Sequence, residues 1–239
     1  MADAQLHFYF DPICPFAWLT SQWVRSVAAQ RAYRVEWRFI SLRQVNAHVD
    51  YAAHFPPDYE AGHTSGLQML RVAARARDEF GPGAVGPLYQ ALGPQVFERD
   101  PDDERGQRPA ARDLVVPALA EAGLPVELAD AVDDQSWDTV IQADTDEALA
   151  LTGKDVGTPI LHFAPPDGLA FFGPVISRLP EPARSLELWD HVVALAGFPG
   201  FAELKRSLRE RPQVGSEGVR AGEVGVVEEW HAGSRRLPD

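Results

Sequence analysis

The spacing of the apolar residues changes twice within the first forty residues, and this change limits the possible folds more than any other feature of the sequence. Residues 5–10 form an aromatic-rich run that stops at the turn pair Asp11-Pro12. Apolar residues then follow helical spacing from 15 to about 30, and alternate with polar ones from 34 to 40. A strand, a helix and a second strand in succession predict a βαβ unit with parallel strands and a right-handed crossover.

The rest of the chain divides into a long helical stretch and a second group of strands. Strand signals are absent between 46 and 153, where the apolar spacing is helical. They return at 159–163 and 170–172, joined by a Pro-Pro-Asp-Gly turn that favours a hairpin. The pattern then predicts helices over 186–196 and 200–209.

These segments predict an α/β protein whose sheet is interrupted by a large helical insertion. We expect one discontinuous domain formed by residues 1–45 and 153–211, and an insertion domain formed by residues 46–152. Residues 224–230 have some strand character. Glycines and charges dominate after Pro212, however, so we expect 212–239 to be a flexible C-terminal tail.

Composition excludes several classes of protein. Cys14 is the only cysteine, which rules out an internal disulfide scaffold and a zinc site built on several thiolates. The formal net charge of −13 argues against nucleic acid or an anionic membrane as partner. The first ten residues lack the basic and apolar regions of a signal peptide, and no apolar stretch reaches about 18 residues. We therefore expect a cytoplasmic protein that binds no metal.

The position of Cys14 predicts a reactive thiol. It lies between the first strand and the first helix, with Pro15 at the first helical position. The unpaired N–H groups and the positive end of the helix dipole stabilise a thiolate at such a place. We therefore predict a lowered pKa for Cys14. The alternative is a buried and inert cysteine of the core.

Several blocks of sequence resemble the DsbA-like branch of the thioredoxin superfamily, and most closely the actinobacterial mycothiol-dependent nitroreductases. The nitroreductases are in turn relatives of the hydroxychromene carboxylate isomerases and the kappa-class glutathione transferases. The blocks are FYFDPICPFAW at 8–18, Ser41-Leu42, Val156-Gly157-Thr158-Pro159, AFFGPV at 170–175 and Glu203-Leu204-Lys205-Arg206. The resemblance implies a thioredoxin-like fold whose helical insertion covers the active-site cleft.

The resemblance also implies roles for particular residues. Cys14 would be the attacking thiol, and Pro159 would follow a cis peptide bond. Thr158 would then pair with an extended substrate through its backbone. We expect the thiol or the substrate to bind against the residues around the cleft, namely Pro15, Phe16, Trp18, Asn46, Tyr59, Thr158 and Pro159.

Ala17 stands where members of this family usually carry a second cysteine. Without a resolving thiol the protein cannot release a mixed disulfide by itself. The sequence therefore predicts a monothiol mechanism with a low-mass thiol such as mycothiol, or glutathione, that reduces a disulfide or a small nitroaromatic electrophile. Two alternatives stay open: a transferase or isomerase of the kappa type that activates a bound thiol, and a non-catalytic binding protein. The sequence allows either a monomer or a homodimer.

Overall fold

The central sheet has four strands in a computed structural model that describes residues 5–31, 33–98 and 109–230. The strands are β1 (Leu6–Phe10), β2 (Val35–Phe39), β3 (Ile160–Phe163) and β4 (Ala170–Phe172), and their order in the sheet is β2-β1-β3-β4. β1 is parallel to β2 and antiparallel to β3, which forms an antiparallel pair with β4. The predicted parallel pair and the later hairpin are both confirmed.

Helices connect and cover these strands. Helix α1 (Pro15–Arg31) joins β1 to β2, and α8 (Pro182–Ala196) follows β4. The helices between β2 and β3 are α2 (Leu42–Val45), α3 (Tyr51–His54), α4 (Tyr59–Phe80), α5 (Val85–Phe97), α6 (Ala111–Glu121) and α7 (Asp138–Thr152). Short 3-10 helices cover Pro82–Ala84, Val126–Asp133 and Gln135–Trp137. Every regular element in the described part of 46–152 is helical, as predicted, whereas the exact domain boundaries stay a prediction.

The two faces of β1 pack against different parts of the molecule. Phe8 and Phe10 belong to the larger core, where the Phe10 ring stacks on Tyr89 of α5 with 3.8 Å between ring centroids. Tyr9 points to the opposite face, where it packs in a smaller cluster with Ile160 and donates a hydrogen bond from its hydroxyl to Glu147 of α7. The alternation of side chains along the strand therefore places the sheet between α5 of the insertion and α7.

A buried carboxylate connects the end of β1 to the insertion. The side chain of Asp11 is fully buried and accepts hydrogen bonds from the backbone N–H groups of Ile13, at 3.0 Å, and Leu42, at 2.7 Å. Gly66 of α4 lies so close to Asp11 that a Cβ there would overlap the carboxylate. Burial raises the pKa of Asp11 to about 7, although its two N–H donors oppose this rise.

The structure corrects two predictions at the C-terminal end. Residues 200–209, predicted as a helix, instead lead into a short strand, β5 (Leu208–Glu210). This strand pairs in antiparallel fashion with β6 (Val227–Glu229), so the prediction of a flexible tail is wrong over 212–230. The pairing joins segments separated by a loop of sixteen or more residues, which local spacing of apolar residues does not reveal. The remainder of the predicted tail, 231–239, lies outside the described residues.

Gly93 of α5 provides a test of the packing between α1 and the insertion. A Cβ at Gly93 would overlap the indole ring of Trp18. We expect Gly93→Ala to lower the free energy of unfolding by about 1–3 kcal/mol, the usual cost of overpacking a core. Gly83→Ala is the matched control, because a Cβ there meets nothing within 4 Å. Urea unfolding of both variants measures the effect, and equal midpoints for the two would contradict this packing.

Asp11 predicts a dependence of stability on pH. Its pKa is raised from 3.8 to about 7 on folding, so its contribution to stability is complete below about pH 4 and is lost as the pH rises through 7. A shift of this size corresponds to at most roughly 4 kcal/mol. Urea unfolding of the wild type and of Asp11→Asn between pH 4 and 8 measures this contribution. The asparagine does not titrate, and its loss of the acceptor for the Leu42 N–H costs the variant the same free energy at every pH. The free energy of unfolding of the wild type should fall relative to the variant as the pH rises, and a constant difference would contradict this assignment.

Candidate active site

Cys14 occupies the turn between β1 and α1, where backbone groups surround its sulfur. The backbone N–H of Cys14 donates to the carbonyl of Asp11 at 3.0 Å, which closes the turn directly before α1. The thiol Sγ donates to the carbonyl of Thr158, at a distance of 3.4 Å, and accepts from the N–H of Ala17, at 3.5 Å. The side chain is buried, with only 7% of the residue exposed. The thiol is therefore held between the first turn of α1 and the loop before β3.

The peptide bond between Thr158 and Pro159 is cis, as the family resemblance implied. Thr158 is buried and its hydroxyl donates to the carbonyl of Tyr9 at 3.4 Å, which fixes the loop against β1. The carbonyl of Pro159 accepts from the N–H of Gly173 at 2.8 Å. These contacts direct the Thr158 carbonyl toward Cys14. The role of Thr158 and Pro159 in binding a ligand stays a prediction.

The predicted lowering of the Cys14 pKa is wrong. Burial raises the pKa of the thiol to about 12, because removing the sulfur from water disfavours its charged form. The negative charge of Asp11 raises it further, whereas the N–H groups of Ala17 and Phe16 and the positive charge of Arg209 lower it. Desolvation is the largest of these effects. Cys14 is therefore a protonated thiol at neutral pH in this structure.

The C-terminal strand pair brings Arg209 and Trp230 against Phe16, the second residue of α1, and the sequence did not predict this contact. The rings of Phe16 and Trp230 meet edge to face, with 4.9 Å between their centroids and an interplanar angle of 77°. The guanidinium of Arg209, on β5, lies 5.7 Å from the Phe16 ring centroid and 5.9 Å from that of Trp230. Phe16 is itself buried. Arg209 and Trp230 therefore pack on the first turn of α1, directly after Cys14.

The other predicted residues of the first helix have different surroundings. Pro15 is the first residue of α1 and is half-buried next to Cys14. Trp18 is buried, and its ring packs against Tyr89 and Phe97 of α5. These contacts place Trp18 in the core between α1 and the insertion. A role for Pro15 or Trp18 in binding a ligand stays a prediction.

Asn46 and Tyr59 lie at the entrance to the insertion. Asn46 follows α2, and its side-chain amide donates to the carbonyl of Leu42 at 2.8 Å. Tyr59 begins α4 and stacks on Phe55, with 5.4 Å between ring centroids. Both residues are half-buried. Their contacts with ligand stay a prediction; Asn46 contacts α2, and Tyr59 contacts the segment directly before α4.

Sequence reasoning missed three residues around Cys14, namely Asp11, Arg209 and Trp230. Asp11 was interpreted only as part of a turn, and nothing in the local pattern shows that its carboxylate is buried. The strand character of 224–230 was the one signal for the second strand of the C-terminal pair. No signal within 200–209 indicates that Arg209 faces Phe16.

Among the residues that the structure describes, no group of three or more His, Cys, Asp or Glu side chains is arranged to hold a metal ion. No helix within 5–31, 33–98 and 109–230 is long and apolar enough to cross a membrane.

Comparison with known structures supports the fold. The chain is similar to 2-hydroxychromene-2-carboxylate isomerase, with a TM-score of 0.51 and 13% identity over 80% of this chain and 95% of that chain. It is also similar to the cytosolic disulfide reductase DsbM from Pseudomonas aeruginosa, with a TM-score of 0.46 and 18% identity over 80% of this chain and 98% of that chain. The predicted thioredoxin-like α/β fold is confirmed.

Comparison of sequences identifies the family. The chain is 31% identical over 200 residues to the uncharacterized protein Rv2286c of Mycobacterium tuberculosis (strain ATCC 25618 / H37Rv), covering 83% of this chain and 80% of that protein. A family model described as Rv2466c-like, mycothiol-dependent nitroreductase Rv2466c, matches residues 13–206, which include Cys14, Thr158 and Pro159. The chain therefore belongs to the Rv2466c-like family of mycothiol-dependent nitroreductases, as the sequence blocks predicted.

Proposed function

We propose that this protein is a thiol-dependent reductase in which Cys14 forms a mixed disulfide with a low-mass thiol, with mycothiol as the physiological thiol. One observation carries the proposal: the Cys14 sulfur lies between the N–H of Ala17 and the carbonyl of Thr158, next to the cis peptide bond. Membership of a mycothiol-dependent family supports the choice of thiol. Glutathione has the same reactive group and is the second candidate.

The surroundings of Cys14 fit a thiol partner. The Thr158 carbonyl accepts the thiol proton in the resting state, and the Ala17 N–H is placed to donate to a thiolate. Because the pKa of Cys14 is raised by burial, the thiol has to lose its proton when the site opens or when a substrate displaces the covering groups. Substrate binding and activation of the nucleophile are then coupled.

The exchange proceeds in two steps that balance. In the first step the Cys14 thiolate attacks the mycothiol sulfur of a mixed disulfide, so a new S–S bond forms and the substrate leaves as a thiolate. In the second step a second mycothiol thiolate attacks the mycothiol sulfur bonded to Cys14, which releases Cys14 and yields the mycothiol disulfide. The substrate gains the two electrons that the mycothiol sulfurs lose. Ala17 makes the second molecule necessary, because no resolving thiol is present in the chain.

A nitroaromatic substrate would use the same pair of thiols. Two mycothiol molecules give up two electrons and two protons, which convert a nitro group to a nitroso group and water. The two oxidised mycothiol molecules leave as one mycothiol disulfide, so atoms and electrons balance. We place both reactions in a reducing compartment such as the cytoplasm, where low-mass thiols are maintained.

Intact mass spectrometry tests the covalent step. After incubation with mycothiol disulfide, we expect the wild type to gain the mass of one mycothiol, and Cys14→Ser to gain nothing. Added mycothiol should then remove the adduct. Absence of the adduct would contradict the monothiol mechanism, and turnover retained in Cys14→Ser would support activation of a bound thiol instead.

Ala17→Cys provides a second variant for the same experiment. Ala17 lies on the first turn of α1, and its N–H contacts the Cys14 sulfur. A thiol at this position should resolve the adduct internally, so the protein should return to a mass two protons below its reduced form without added mycothiol. A persistent adduct in this variant would contradict the placement of the two side chains.

A further inference from the structure

The pair formed by β5 and β6, together with Trp230, covers the start of α1; we call it the C-terminal hairpin. Trp230 is buried, and its backbone N–H donates to the carbonyl of Ser207 at 3.0 Å, which joins the end of the hairpin to its beginning. The Trp230 ring packs on Phe16, two residues after Cys14. The hairpin lies beyond residue 206, where the family match ends.

Arg209 is the cation that this hairpin brings to the site. Its guanidinium lies near the rings of both Phe16 and Trp230, which limits the freedom of the side chain. No carboxylate oxygen of the described residues lies within 4.0 Å of the Arg209 guanidinium, the limit for an ion pair. Arg211 on the same hairpin, by contrast, pairs with Glu228. Burial lowers the pKa of Arg209, and the negative form of Cys14 opposes this effect. A half-buried cation loses hydration, and without a carboxylate partner no ion pair replaces it. A thiolate at Cys14 therefore stabilises the charged form of Arg209.

Two charged side chains act on the thiolate form of Cys14 in opposite directions. Asp11 disfavours the thiolate and Arg209 favours it. Tyr89 also interacts with Cys14, and burial holds the pKa of Tyr89 well above its usual range, so it stays neutral. Arg209 is therefore a positive side chain that counters the charge of Asp11 when the thiolate forms, and its guanidinium lies 5.7 Å from the ring centroid of Phe16, two residues after Cys14.

We propose that Arg209 is a positioning residue that stabilises the thiolate of Cys14 during the exchange, and that Phe16 and Trp230 hold its guanidinium over the site. The inference rests on the proposed function in that Cys14 is the reacting thiol. The C-terminal hairpin is then part of the active site and not only a cover.

Alkylation of Cys14 tests the charge of Arg209 directly, because the chain has a single cysteine. Neutral iodoacetamide and anionic iodoacetate are compared by intact mass, and the readout is the ratio of the iodoacetate rate to the iodoacetamide rate at one pH. Opening of the site changes both rates alike, whereas loss of a nearby positive charge lowers the ratio. We expect Arg209→Gln to lower this ratio by about threefold to tenfold.

Two further variants complete the test. Arg209→Lys keeps the charge and should retain most of the wild-type ratio, and Arg211→Gln, on the same hairpin, should leave the ratio unchanged. An unchanged ratio in Arg209→Gln, or an equal loss in Arg211→Gln, would overturn the proposal. If Arg209→Gln fails to fold by circular dichroism, Arg209→Met replaces it, and the wild-type ratio is measured against salt concentration: a ratio that does not fall with added salt would overturn the proposal.

This experiment uses neither mycothiol nor a substrate. A failed mycothiol adduct together with a lowered alkylation ratio in Arg209→Gln would contradict the proposed function and leave the role of Arg209 intact. A normal adduct with an unchanged ratio would support the proposed function and overturn the role of Arg209.

Discussion

Removal of the Cys14 sulfur from water is the constraint on which the site depends. The first turn of α1 and the loop with the cis peptide bond contact the sulfur, and the C-terminal hairpin packs on Phe16, two residues after Cys14. Their combined burial outweighs the stabilising N–H groups at the start of α1, so the pKa of Cys14 rises. The proposed exchange therefore requires the site to open, because Cys14 is a buried thiol in this structure.

Much of the fold could be predicted from the sequence, because its signals are local. The change of period around Cys14 predicted β1, α1 and β2, and the turn at 165–168 predicted the β3–β4 hairpin. The C-terminal hairpin could not be predicted in this way. β5 and β6 are short and pair across a long loop, and the contacts of Arg209 and Trp230 with Phe16 join segments that are far apart in the sequence.

The features of the candidate site also differ in whether a local sequence pattern predicts them. Cys14 and the Thr158–Pro159 pair could be found because their motifs are contiguous in sequence. The direction of the Cys14 pKa could not, since the helix start indicates a stabilised thiolate whereas burial, a property of the whole fold, decides the outcome. Arg209 could not be found for a related reason: the pairing of two distant segments places it against Phe16, two residues after Cys14. Ala17 shows the opposite case, because the absence of a second cysteine at this position is visible in the sequence and is the basis on which we propose a second thiol molecule.

A pH titration of the single cysteine by NMR tests the central claim most directly. The protein is labelled with ¹³C at Cβ of cysteine, so one resonance reports whether Cys14 is a thiol or a thiolate, and the Cys14→Ser variant confirms its assignment. With the site closed, the resonance should keep the chemical shift of a thiol from pH 6 through pH 9. A thiolate shift at pH 7 would contradict the account, because it would show that the start of α1 and Arg209 outweigh burial in the resting protein.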